Sequence, residues 1–107
     1  VQGANNPRIR AASVNGQRKH VEMGKKRKYR CSAVEVKAGN GRADCVSFEQ
    51  CKVWEFKPST YSSSKAMSQA RGYIPYINRK YARTAAAAKC YPDGFEADVA
   101  SYRACTF

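Results

Sequence analysis

The stretch Gly41–Pro58, GRADCVSFEQCKVWEFKP, decides how the rest of this chain is read. Two strand-like runs, Arg42 to Phe48 and Cys51 to Lys57, flank Glu49-Gln50. Val46, Phe48, Val53, Trp54 and Phe56 are residue types that favour strands, and Pro58 closes the second run. The simple reading is a β-hairpin. If the strands pair symmetrically about Glu49-Gln50, Phe48 faces Cys51, Val46 faces Val53, and Asp44 faces Glu55. Directly opposed residues point to one side of a sheet. Lys57 lies two beyond Glu55 and shares that side. Asp44, Glu55 and Lys57 then converge at one end of the hairpin, provided the loop keeps even parity. Trp54 alternates to the other side and is expected in a core.

Two carboxylates and an ammonium on one face make chemical sense. Paired carboxylate oxygens suit a hard divalent ion that keeps several waters and takes substrate phosphate. Such an ion polarises a phosphoryl oxygen and acidifies bound water. A nearby ammonium orients the water and offsets charge in the transition state. The plain alternative is an exposed strand end with a salt bridge.

Working outward, Cys31 to Lys37 is expected to close a helix that stops at Gly39, with a strand through Val34 and Val36 as the alternative. Ser59 to Ser64 reads as a polar loop ending in a serine cap. From Lys65, the positions Ala66, Ala70, Tyr73, Ile74, Ile77 and Tyr81 recur at helical spacing. Pro75 is expected to kink or split that helix near Gly72-Tyr73. Ala85 to Ala88 continues the helical pattern with high helix propensity, and Pro92-Asp93-Gly94 is a turn. Phe95 to Phe107 fits a strand or a helix. Residues 1–20, with Asn5-Asn6-Pro7 and Asn15-Gly16, read as a basic linker or arm. Residues 21–107 read as a single domain.

The chain has 107 residues, 43% hydrophobic and 11% aromatic, which suits one domain with its own core. It begins at Val1, which suits a fragment, a processed product or a module of a longer protein. No apolar run is long enough to span a membrane, and no leader peptide is evident. Lys plus Arg number 20 against 8 Asp plus Glu, a formal charge of +12. That balance points to a polyanionic partner. Within it, Lys25-Lys26-Arg27-Lys28-Tyr29-Arg30 is a run that repels itself unless something neutralises it. Lys25, Lys26, Arg27 and Lys28, with Arg71 and Arg79 on the long helix, are the candidate phosphate contacts. Tyr73, Tyr76 and Tyr81 can stack on bases, though their spacing fits a half-buried helix equally well.

The five cysteines, Cys31, Cys45, Cys51, Cys90 and Cys105, cannot all pair within one chain. One or two disulfides of a secreted protein and buried free thiols are both open readings. No Cys-x-x-Cys occurs and His20 is the sole histidine, which argues against structural zinc. A lone histidine in a basic arm reads as surface decoration.

Asp44, then Glu55-Phe56-Lys57 after an apolar strand, resembles the PD-(D/E)xK nuclease superfamily. More narrowly, Gly41-Arg42-Ala43-Asp44, then Val53 to Pro58, then Lys65 to Tyr73 resembles restriction-endonuclease-fold toxin domains of bacterial polymorphic toxins. Ala43 stands where the pattern has proline. The resemblance covers about 35 residues, from Gly41 to Tyr76. It implies an α/β domain, a small mixed sheet with a central hairpin flanked by helices. It also implies that Asp44, Glu55 and the Phe56 carbonyl hold Mg2+ or Mn2+. Lys57 then positions the water, and Gln69 orients Lys57 or the phosphate. Glu35, read as lying on a preceding helix, is the candidate additional acid, and Glu22 a weaker one. Glu35-Val36-Lys37 is a second Glu-x-Lys, but no aspartate precedes it. The expected activity is endonucleolytic hydrolysis of DNA, or of RNA on the same fold, with low sequence specificity and no small-molecule substrate. The expected setting is a secreted effector, delivered to a target-cell cytoplasm and neutralised by an acidic immunity protein. A non-catalytic, disulfide-stabilised basic binding module is the rival outside enzymology.

Overall fold

A computed structural model describes residues 18–103. The expected arm, residues 1–17 of it, and Cys105 lie outside the described residues. The first described element is a helix, α1, residues 18–24, which runs across the expected boundary at residue 20. A 3-10 turn follows at Arg27–Tyr29. Three strands come next: β1 Ala33–Ala38, β2 Gly41–Ser47 and β3 Lys52–Pro58. Then come helix α2 Ser63–Tyr81, a 3-10 helix Ala85–Cys90, and strand β4 Glu96–Tyr102.

The sheet order is β1-β2-β3-β4. β1, β2 and β3 form an antiparallel meander, and β4 returns parallel to β3 through the α2 crossover. The result is a small α+β fold with a mixed sheet between helices. Cys45 pairs with Trp54, Val46 with Val53 and Ser47 with Lys52, so the hairpin is symmetric about Glu49-Gln50. Cys51 takes a positive φ of 56° to close the loop.

Each face of the sheet carries its own core. On one side, α2 lays Tyr73 and Ile77 over Val36, Ala43, Val46 and Val53, with Ala87, Cys90 and Phe95 closing the end. On the other, Met23 of α1 and Tyr29 pack on Cys45 and Phe56, flanked by Trp54, Ala100 and Tyr102. Trp54 thus has the packing role its alternation implied, and its indole N–H donates to Gln50 Oε1 at 3.0 Å. A disulfide joins Cys31 to Cys45 and another joins Cys51 to Cys90. Two such bonds are consistent with an extracellular protein. Among the described residues, no helix is long and apolar enough to cross a membrane.

Three local expectations are corrected. The segment after Cys31 is a strand, not a helix, so Glu35 comes from β1. Its β-branched Val34 and Val36 pair with Cys45 and Ala43, and the Cys31–Cys45 bond holds the segment against β2. Pro75 lies inside α2 without splitting it. Pro75 and Arg71, whose carbonyl a proline ring four residues on would crowd, both face solvent. The displaced backbone can therefore tilt towards water. Ala85–Cys90 forms a 3-10 helix of its own rather than an extension of α2.

Candidate metal centre

The ladder between β2 and β3 is regular from Ser47 to Cys45 and is not continued at Asp44. Instead, Asp44 Oδ2 accepts the Phe56 backbone N–H at 2.7 Å. A side chain has taken the place of a ladder carbonyl, and the two strands part around it. The neighbouring pair of strands is distorted at the same level. Glu35, opposite Asp44 in the register, has a φ of 50°, and no pairing joins these two residues. On either side of them the register is intact, Val34 with Cys45 and Val36 with Ala43. Cys45 belongs to the core under α1, whereas Val36 and Ala43 belong to the core under α2. The inward–outward alternation has therefore slipped by one residue in both strands at once.

That slip lets acids gather in mid-sheet. Asp44 is 6% exposed and Glu55 2%. Glu55 shares the α2 face of β3 with Val53, where it lies beside Tyr73. Glu55 Oε2 is buried and has no hydrogen-bond partner. Burial, a hydrogen bond to Asp44 and the Asp44 charge push the Glu55 carboxyl up to about 9, against the partial opposition of Lys57. Without a cation, Glu55 is therefore protonated at neutral pH. Lys57 is half-buried, and its Nζ sits 4.8 Å from the centre of the Tyr61 ring.

Tyr73 links α2 to this centre. Gln69 Nε2 donates to Tyr73 Oη at 3.0 Å. Burial and the neighbouring Glu55 raise the phenol above its ordinary value. Gln69 thus reaches the acids through Tyr73, a residue the helical spacing assigned to the core. The fit requires glycine at 41, because a Cβ there would lie 2.7 Å from Tyr73 Oη.

His20 is not surface decoration. α1 places its Nδ1 3.4 Å from Asp44 Oδ1 and 4.0 Å from Glu35 Oε1. Its ring meets Tyr102 of β4 edge-on at 5.9 Å. Phe56 offers Asp44 its amide, and its side chain is fully buried on the far face. Glu22 is exposed and pairs with Lys19 at 3.3 Å.

The candidate phosphate contacts Lys25, Lys26, Arg27, Lys28, Arg71 and Arg79 are all exposed. Arg79 lies 5.9 Å from the exposed Tyr76 ring. Both line a hollow of about 300 Å3 with Lys37, Gly39 and Lys80. Cations and an open aromatic face in one concavity suit a nucleic-acid strand.

The donor set fits a hard divalent cation. Two buried carboxyls meet, one oxygen is unpartnered, and a positive charge between them would release the proton held by Glu55. No family model, curated protein or solved structure matches the chain.

The raised Glu55 carboxyl has a measurable consequence. The folded chain keeps a proton that the unfolded chain releases near pH 4.5, so this group's contribution to stability falls as pH rises from there to about 9. Thermal melts in chelator should show wild type losing stability relative to Glu55→Gln over that window. Parallel curves would show that the Glu55 carboxyl is not raised by the fold.

Proposed function

We propose that this domain is a metal-dependent nuclease that hydrolyses phosphodiester bonds in DNA with low sequence specificity. The observation that carries the reading is the buried Asp44–Glu55 pair with its unpartnered oxygen, two residues from Lys57. Asp44 and Glu55 would hold Mg2+ or Mn2+. That ion supplies a Lewis acid for the phosphoryl oxygen and a more acidic water. Lys57, as an ammonium, orients the attacking water and offsets charge growing on phosphorus-bound oxygens. The water oxygen bonds to phosphorus and gives up a proton to solvent, a P–O ester bond breaks, and the leaving oxygen takes a proton from solvent. Gln69 holds Tyr73 over Glu55 and fixes the acid's position.

The excess of 12 positive charges and the exposed Lys25–Lys28 run support a substrate held through its phosphates. In this reading the protein is a secreted antibacterial effector acting in the target-cell cytoplasm, and its producer needs an acidic immunity protein to cover the cationic surface. Purified protein incubated with plasmid and with RNA, in Mg2+, Mn2+ or chelator, tests it. Cleavage of plasmid that chelator abolishes supports the proposal. Cleavage of RNA alone changes the substrate, and binding without cleavage makes the domain a basic binding module.

A further inference from the structure

His20, Glu35 and Asp44 come from α1, β1 and β2, and one donor atom from each lies within 4.8 Å of the others. Two donors on one first-row ion, each about 2.1 Å from it, are at most about 4.2 Å apart. The distances from His20 Nδ1 to Asp44 and to Glu35, 3.4 Å and 4.0 Å, fall inside that limit. The third separation closes by a rotamer change of Glu35, whose side chain is 44% exposed. A cavity of about 120 Å3 opens beside the three groups, walled by Val21, Gly24 and Val34. That is room for water beside a bound ion. Lys25 also borders the cavity and is exposed, so its ammonium is free to turn towards solvent.

A second observation points the same way. Glu55, 2% exposed, faces Asp44 and leaves Oε2 without a partner. Buried polar atoms are normally satisfied. Here a buried carboxyl with an unsatisfied oxygen faces Asp44, one of the three residues of metal-ligand type, and the backbone is distorted where Glu35 and Asp44 lie opposite each other.

We propose that His20, Glu35 and Asp44 form a cation site of one nitrogen and two oxygen donors, which takes Mn2+, Co2+ or Zn2+ in preference to Mg2+. Imidazole suits these ions, whereas Mg2+ favours oxygen donors alone. The site shares Asp44 with the nuclease centre proposed above. Its part in cleavage rests on that reading, but its affinity for metal does not.

The test is titration of the full chain with Co2+, followed by visible absorption, and with Mg2+, followed by calorimetry. His20→Gln should weaken Co2+ binding roughly 100-fold and change Mg2+ affinity little. Glu35→Gln should weaken Co2+ in the same direction. Because His20 is the sole histidine, its 15N imidazole resonances identify themselves in the wild-type chain. Zn2+ should shift the Nδ1 signal, which keeps the test sound even if a variant misfolds. An unmoved Nδ1 signal, or equal Co2+ affinity in folded wild type and His20→Gln, overturns the site and leaves a histidine–carboxylate contact. Mg2+-dependent cleavage with His20-independent Co2+ binding sinks this site and spares the nuclease. His20-dependent Co2+ binding without any cleavage does the reverse.

Discussion

If the domain is the nuclease proposed, Glu55→Gln and Lys57→Ala should each lower plasmid cleavage by about 100- to 1,000-fold, the scale of losing one group that stabilises transition-state charge. Gln fills the space of Glu55, so its effect reads charge and ligation rather than packing. Lys37→Ala, in the competing Glu35-Val36-Lys37 string, should cost less than either, because Lys37 is exposed at the hollow beside Tyr76. Glu35→Ala should also cost less than Glu55→Gln, because Glu35 is the outer, half-exposed acid. First-order nicking rates under saturating Mg2+ rank the four variants. If the Lys37 and Glu35 variants proved the more damaging, the wrong Glu-x-Lys would have been assigned. If none of them mattered while DNA was still bound, the protein would be a binding module.

Reduction of the two disulfides should bring the domain close to unfolding. Cys31–Cys45 spans 14 positions and Cys51–Cys90 spans 39. In the chain-entropy description, loops of those lengths correspond to about 3 and about 4 kcal/mol. Their sum is comparable with the whole stability of a typical small domain, about 5–15 kcal/mol. Thermal melts with and without dithiothreitol measure it directly. A melting temperature unmoved by complete reduction would show that the two cores suffice alone. Activity should fall with the fold, because Cys45 adjoins Asp44 in sequence and its bond to Cys31 holds β1 beside β2.

The hairpin was legible because two-residue alternation and an even loop fix its register, which holds from Ser47 to Cys45; the expected direct pairing of Asp44 with Glu55 is not made, because the ladder stops there and Asp44 takes the Phe56 amide instead. Their burial was not legible, since nothing local says that α2 will cover Glu55 with Tyr73. β1 resisted reading because the slip at Glu35 breaks alternation: Val34 lies exposed beside Gly24 of α1, whereas Val36 is buried in the core under α2. Pro75 misled because a proline penalty depends on whether the displaced carbonyl can reach water, which is a tertiary fact. His20 carried no local signal at all. Its partners are on β1 and β2, and only the docking of Met23 beneath the sheet delivers the imidazole to them.

The left-handed backbone at Glu35 has a bearing on how this sequence would drift. A side chain in that conformation costs roughly 1–2 kcal/mol that glycine avoids. A library randomised at position 35 and sorted for thermal resistance alone should therefore converge on glycine. The same library sorted for metal affinity should keep an acid there. Divergence of the two selections would separate what the scaffold wants at that kink from what the ligand cluster asks of it.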